Sequence, residues 1–276
     1  MTYRNIQIQA LIRRVSSEMV QDTMSDAKIA SSFNVQAEKT HFIPQQYRVI
    51  GGLLQSLNIR FGNFLELLLR EVINSDPNVS LSPLSGKRIA LQISRASDAA
   101  IDRYITQRTQ PNSAADCTAE FQLLLNEILA NEKNSTDNKL DQKKDIDCLF
   151  VTKSNKSIFV ELKYNDDHDT GKFVDIQRKL IKTYAGLVNE LKIQQREKLE
   201  PYLWYFTPLK RWASIYLPET NVLRGGQLFE KYFVTNFQDV DYYLQNISED
   251  SSMLELFDQL YQKVRIGRVV SGRLSR

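Results

Sequence analysis

Apolar positions recur at helical spacing from the start of the chain. Over residues 5–30, Ile6, Ile8, Leu11, Ile12, Val15, Met19, Val20 and Met24 keep roughly helical spacing and predict a helix. Residues 31–46, broken by Pro44, read as an unstructured connection. A Leu-rich helical region follows over 47–73, with an interruption expected at Gly51-Gly52. Pro77, Pro83 and Gly86 make 75–86 a loop, and the alternation of Ile89, Leu91 and Ile93 makes 87–94 a strand. Helix returns over 98–107. Residues 115–132 form a second amphipathic helix, with Phe121, Leu124, Leu125, Ile128 and Leu129 at three-four spacing. Residues 131–144 read as a charged, Asn-rich link.

Two short apolar runs then flank the polar segment Thr152–Lys156: Lys144–Phe150 and Ser157–Tyr164. Their β-branched and aromatic content predicts a hairpin. Charged residues inside these strands are the unusual feature. Alternate residues of a strand share a face, so Glu161 and Lys163 point together, as do Asp145 and Asp147. Register decides whether the two sets meet. A loop with an odd number of residues sets Asp147 opposite Glu161 and Asp145 opposite Lys163, whereas an even loop scatters them unless a bulge intervenes. The gathered arrangement is the expectation. Carboxylates that converge at a sheet surface repel each other unless a cation is shared. Oxygen ligands suit a hard cation such as Mg²⁺, which binds through one or two carboxylates and keeps several waters. A lattice of surface ion pairs is the competing reading.

After Tyr164, residues 165–171 (Asn-Asp-Asp-His-Asp-Thr-Gly) form an acidic loop, read as a solvated network or, less simply, as a second metal site. Phe173, Ile176, Leu180, Tyr184, Leu187 and Leu191 give a clean helix, on which Lys172, Asp175, Lys179 and Lys182 share a stripe. Residues 201–208, nearly all aromatic or apolar between two prolines, read as a strand buried on both faces with a parallel neighbour. Residues 212–217 are a candidate further strand, Gly225-Gly226 a turn, and 227–263 mostly helical.

Composition narrows the class only a little. With 276 residues, 42% hydrophobic and 25% charged, the chain has the composition of an ordinary globular protein, and its net charge of +3 says nothing about partners. Placement is uneven, however: residues 263–276 carry Lys263, Arg265, Arg268, Arg273 and Arg276 without an acid. Cys117 and Cys148 are too few for a disulfide framework, and His41 and His168 too few for a multi-histidine zinc site. No run of about 20 apolar residues and no signal-peptide pattern occurs, so a soluble cytoplasmic protein is expected.

Asp147 followed, after a strand's length, by Glu161-Leu162-Lys163 resembles the signature of the PD-(D/E)XK nuclease superfamily, although Ile146 stands where the family has proline. The longer string 161–172 resembles the TdeIII-like group of type II restriction endonucleases. The resemblance implies a mixed α/β fold with an αβββαβ core, a central β-sheet flanked by helices. It suggests a single nuclease domain over 1–276, with its core near 47–217 and helical additions at 1–46 and 218–276. It makes Asp147 and Glu161 metal ligands, with the Leu162 carbonyl a third, and gives Lys163 the attacking water. Residues 56–66 resemble the N-terminal core helix of several restriction enzymes, which would bring Glu66 to the metal. Glu127, twenty residues before Asp147, is its rival for a helix-borne carboxylate. Lys172, Lys179 and Lys182 are candidate phosphate contacts. Some superfamily members place a glutamine near the active site on this helix, which singles out Gln177. The polar segment 106–113 is a candidate DNA-contacting loop, and the basic tail a candidate phosphate contact.

The expected function is therefore that of a type II restriction endonuclease. It would hydrolyse phosphodiester bonds of double-stranded DNA at a specific sequence, with Mg²⁺ and 5′-phosphate ends, as a homodimer on a short palindromic site. A repair or recombination nuclease of the same fold, such as a junction resolvase, and a catalytically inactive DNA-binding module are the alternatives.

Overall fold

The computed structural model of the protein describes residues 3–109, 117–134, 139–211 and 216–271. In chain order the described elements are α1 (Tyr3–Thr23), α2 (Asp26–Ala37), α3 (Gln45–Ser75), β1 (Val79–Leu81), β2 (Lys87–Ser94), α4 (Arg95–Arg108) and α5 (Thr118–Asn134). They continue with β3 (Lys139–Ile146), β4 (Cys148–Thr152), β5 (Ser157–Lys163), α6 (Thr170–Glu190), β6 (Leu199–Tyr205), β7 (Val222–Arg224), α7 (Gln227–Tyr232), α8 (Phe237–Ser248) and α9 (Ser251–Ser271).

These elements form two compact units, Met1–Leu68 with Gln238–Arg276, and Leu69–Phe237. The first unit joins the two ends of the chain. Val20, Met24, Ile29, Phe33, Val49, Leu53 and Leu57 pack there with Met253, Leu260 and Val264 of α9. Two expectations fail in this unit. The single helix over 5–30 divides, because Ser25 adopts extended backbone angles (φ −61°, ψ 138°) and starts α2, which continues through residues expected to be a connection. Conversely, α3 runs unbroken through Gly51-Gly52. Glycine costs about 1 kcal/mol against alanine in a helix interior. Burial of Val49, Leu53 and Leu57 on the face beside them outweighs that cost.

The second unit contains the mixed α/β core. Its main sheet has the order β1-β4-β5-β6-β7, with the first three strands antiparallel and β5, β6 and β7 parallel. Helix α6 makes the β5–β6 crossover that parallel pairing requires. The parallel strand β6 reads as a continuous apolar run, because its residues are buried on both faces. The core is filled by Phe121, Leu125 and Ile128 of α5, Leu180, Ile181 and Tyr184 of α6, and Phe159 and Leu203 of the sheet. A Cβ on Gly186 would meet Leu91 Cβ at 2.7 Å, so glycine there lets α6 sit close against β2.

A separate two-stranded ribbon, β2 with β3, stands beside this sheet. Strand β3 falls where a charged link was expected. Its burial alternates along Lys139–Ile146, and it pairs with β2 from Lys87↔Ile146 to Ser94↔Lys139. Burial of one face of the ribbon overrides its charged composition. Short strand β1 likewise lies within the segment expected to be a loop. The candidate strand at 212–217 falls partly outside the described residues, and the fifth strand of the sheet is β7. Residues 110–113 of the polar segment after α4 also lie outside them. Among the described residues, no helix is long and apolar enough to cross a membrane.

Candidate active site

The β4–β5 turn sets the site's register. Thr152 donates its amide to the Lys156 carbonyl at 2.9 Å, which leaves a three-residue loop, 153–155. Asn155 takes the left-handed conformation (φ 56°) that such a loop needs and that asparagine tolerates. The odd loop gives the pairs Val151↔Ser157, Phe150↔Ile158, Leu149↔Phe159 and Cys148↔Val160. One step further, Asp147 falls opposite Glu161, on the face that Glu161 shares with Lys163.

Asp147 is the one residue between β3 and β4, where the chain leaves the ribbon and joins the main sheet. The Ile146 carbonyl is taken by the Gly86 amide at 2.7 Å. The Leu162 amide of β5 is taken instead by Asp147 Oδ2, at 3.0 Å. This handover separates the two aspartates. Asp145 does not lie opposite Lys163 but pairs with Arg88 of β2, with its exposed carboxylate 3.8 Å from Arg88 Nε.

Asp147 is 6% exposed and Glu161 fully buried. Lys163 Nζ donates to Glu161 Oε1 and to the Leu162 carbonyl, both at 2.7 Å, and stands 3.6 Å from Asp147 Oδ2. A second ammonium comes from α6: Lys179 Nζ lies 2.7 Å from Glu161 Oε1 and 3.5 Å from Asp147 Oδ1. Among the described residues, Glu161 Oε2 is buried without a hydrogen-bond partner. Burial raises the Glu161 pKa first, and the Asp147 charge raises it further, while Lys163 and Lys179 oppose both. Burial works to lower the Lys179 pKa, but the two carboxylates overcome it and hold the ammonium above its ordinary value. Lys144, half-buried on β3, is lowered by burial and by the Lys182 and Lys179 charges.

The donor set fits a hard dication. Two carboxylates and the Leu162 carbonyl are the few protein oxygens that Mg²⁺ takes, and the orphaned Glu161 Oε2 is a buried acceptor that a cation would satisfy. Among the described residues no group of three or more His, Cys, Asp or Glu side chains could hold a metal ion. The acidic loop is a network: Asp166 binds Arg224 Nη2 and the Arg211 amide, both at 2.9 Å, Asp167 pairs with Arg211, and Asp169 caps α6 by accepting from the Lys172 amide.

The other sequence candidates are dispersed. Glu66 is half-buried on α3, in the first unit. Glu127 pairs with Arg103 of α4 at 2.7 Å, and Glu120 with Arg108 at 3.1 Å, so the acids of α5 tie α4 to α5. The lysine stripe of α6 does not act as one surface. Lys172 is exposed, Lys179 joins the acids, and Lys182 is taken by Asp98 at 2.7 Å and Asp102 at 3.4 Å. Gln177 is fully buried, and among the described residues neither of its amide atoms has a hydrogen-bond partner. The place of Lys179 beside the carboxylates was not foreseen. Helical spacing groups it with Lys172 and Lys182 and carries no signal that the sheet face beneath holds two acids.

An acid, an acid and a lysine held on neighbouring β-segments of a mixed sheet, with a helical crossover to a parallel strand, define a PD-(D/E)XK nuclease. The model of the HinfI type II restriction endonuclease family matches residues 4–248, and the chain belongs to that family. It is 40% identical over 265 residues to the type II restriction enzyme HinfI of Haemophilus influenzae, across 94% of this chain and 98% of the relative. This family stands in place of the TdeIII-like group that residues 161–172 resemble. No solved structure matches the chain.

Proposed function

We propose that this endonuclease cuts double-stranded DNA at a short palindromic sequence, as a cytoplasmic homodimer that uses Mg²⁺ and leaves 5′-phosphate ends. The observation that carries the reading is the contact of Asp147, Glu161, Lys163 and Lys179 around one buried point. Asp147, Glu161 and the Leu162 carbonyl would hold the cation. When bound, Mg²⁺ supplies a Lewis acid that polarises the scissile phosphate, acidifies the attacking water and stabilises the leaving 3′ oxygen.

The chain's own groups do the rest. Lys163 is tethered by its strand and by two 2.7 Å contacts, so its ammonium has a fixed place beside the carboxylates. In this reading it orients the attacking water and assists the loss of its proton. The Asp147 contact to the Leu162 amide fixes the carboxylate and the neighbouring carbonyl together. Lys172, exposed in the first turn of α6, contacts phosphate. Gln177 and Lys182 support the site from within α6, since one is buried and the other is committed to α4. Glu66 enters as a further carboxylate on the helix resemblance alone. Two-fold symmetry of a homodimer matches the symmetry of a palindrome, which supports those two parts of the proposal.

Digestion of plasmid DNA with and without Mg²⁺, followed by run-off sequencing of the products, tests the reading. Discrete fragments that appear only with the dication and share a palindrome at their ends are expected. A smear, or cutting that survives chelation, contradicts it.

A further inference from the structure

Lys163 and Lys179 both touch Glu161 Oε1 at 2.7 Å, yet they are held in different ways. Lys163 lies two residues from Glu161 on the same strand, and the Leu162 carbonyl also binds its ammonium. Its position is therefore compatible with a third charge in the cluster. Lys179 reaches in from α6, and its side-chain partners among the described residues are the two carboxylates alone. Its contacts fall on Asp147 Oδ1 and Glu161 Oε1, one oxygen from each acid, which is how a bridging cation sits. The side chain is 31% exposed, so a flexible stem leads from the cluster to solvent.

Charge gives the consequence. When both are ionised, Asp147 and Glu161 carry two negative charges, which the Lys163 and Lys179 ammonium groups balance. A dication that enters this neutral group meets two ammonium ions, at distances where a unit charge matters strongly in a partly buried site. Lys182, one turn along α6, cannot take over the bridging place without leaving Asp98 and Asp102.

We propose that Lys179 is an internal counter-ion which bridges the Asp147 and Glu161 carboxylates in the metal-free protein and must be displaced before a divalent cation can bind there. It is a positioning residue that makes occupancy of the site conditional. Without DNA the dication competes with a tethered ammonium and binds weakly. An arriving phosphate offers the displaced ammonium a new partner and offsets the charge gained by the site, so DNA and metal favour each other. The inference rests on the metal site proposed above.

Calorimetric titration of Mg²⁺ into the full-length, DNA-free protein tests it. Lys179→Met keeps the length of the side chain and removes the charge, and Mg²⁺ is expected to bind it at least about tenfold more tightly than wild type. Lys179→Arg keeps the charge and is expected to stay within about threefold of wild type. Lys179→Gln serves the same comparison if the Met variant fails to fold. Glu161→Gln is expected to abolish binding in every background. Equal or weaker binding by the uncharged variants, or tightening by the Arg variant as large as that of the Met variant, overturns the role of Lys179 while the metal site stands. Unchanged Mg²⁺ binding by Glu161→Gln overturns the metal site itself.

Discussion

Asp147 Oδ2 accepts the Leu162 amide at 3.0 Å, and this one hydrogen bond both closes the sheet and builds the site. A ladder amide normally bonds to backbone. Here the neighbouring strand has already turned away at Ile146, and the side chain of Asp147 takes its place. The same contact sets the carboxylate beside Glu161 and holds the strand that presents the Leu162 carbonyl.

Asp147→Asn and Asp147→Ala should therefore separate structure from chemistry. Asparagine retains an oxygen for the Leu162 amide, and its stability should stay near wild type. Alanine leaves a buried amide unpaired and should lose about 1–3 kcal/mol in denaturant unfolding. Both should lose cleavage, by a factor of at least about 10³. Equal stability of the two variants would show that the amide finds another partner.

Lys163→Met should lower the cleavage rate by about 10²–10⁴, the range for removal of a group that assists proton transfer. Mg²⁺ binding should persist, because the carboxylates and the Leu162 carbonyl remain. Single-turnover kinetics with saturating enzyme would measure the loss. A variant that cuts at the wild-type rate would place the water elsewhere.

The two helix-borne carboxylates should also differ. Glu127 pairs with Arg103 at a half-exposed surface, so Glu127→Ala should change stability by about 0–1 kcal/mol and leave cleavage unaffected. Glu66→Ala should reduce cleavage if the resemblance of its helix holds. Parallel plasmid assays would decide between them, and loss of activity from Glu127→Ala alone would reverse the assignment.

Glu200 gives a stability prediction remote from the site. Burial favours its neutral form, but Arg196, Lys156 at 3.0 Å and Asn221 outweigh burial and hold the carboxyl below its ordinary range. A carboxyl depressed on folding adds stability above its unfolded pKa of about 4.3, and that stability fades as the pH falls through the folded value. Glu200→Gln should thus lower the melting temperature at pH 7, and its gap to wild type should narrow as the pH falls below about 4. A gap independent of pH would exclude the linkage.

The hairpin was legible because its signal is local. Alternation in Ser157–Lys163 fixes which face Glu161 and Lys163 share, and a short polar loop limits the registers available. Helix α6 and strand β6 were legible for the same reason. What the sequence hid depends on contacts distant along the chain. Asp145 looks equivalent to Asp147 until Ile146 pairs with Lys87 and Gly86 and the strand divides. Lys179 looks like a member of a phosphate-tracking stripe until the fold brings its ammonium against Glu161 of β5. Strand β3 carries so many charges that only pairing with β2 reveals it.

Crystals grown with DNA and Mn²⁺, examined at the manganese absorption edge, test the account most directly. It predicts an anomalous peak in direct contact with Asp147, Glu161 and the Leu162 carbonyl, with the Lys179 ammonium withdrawn from the carboxylates. Manganese bound elsewhere, with Asp147 and Glu161 still bridged only by lysines, would contradict it.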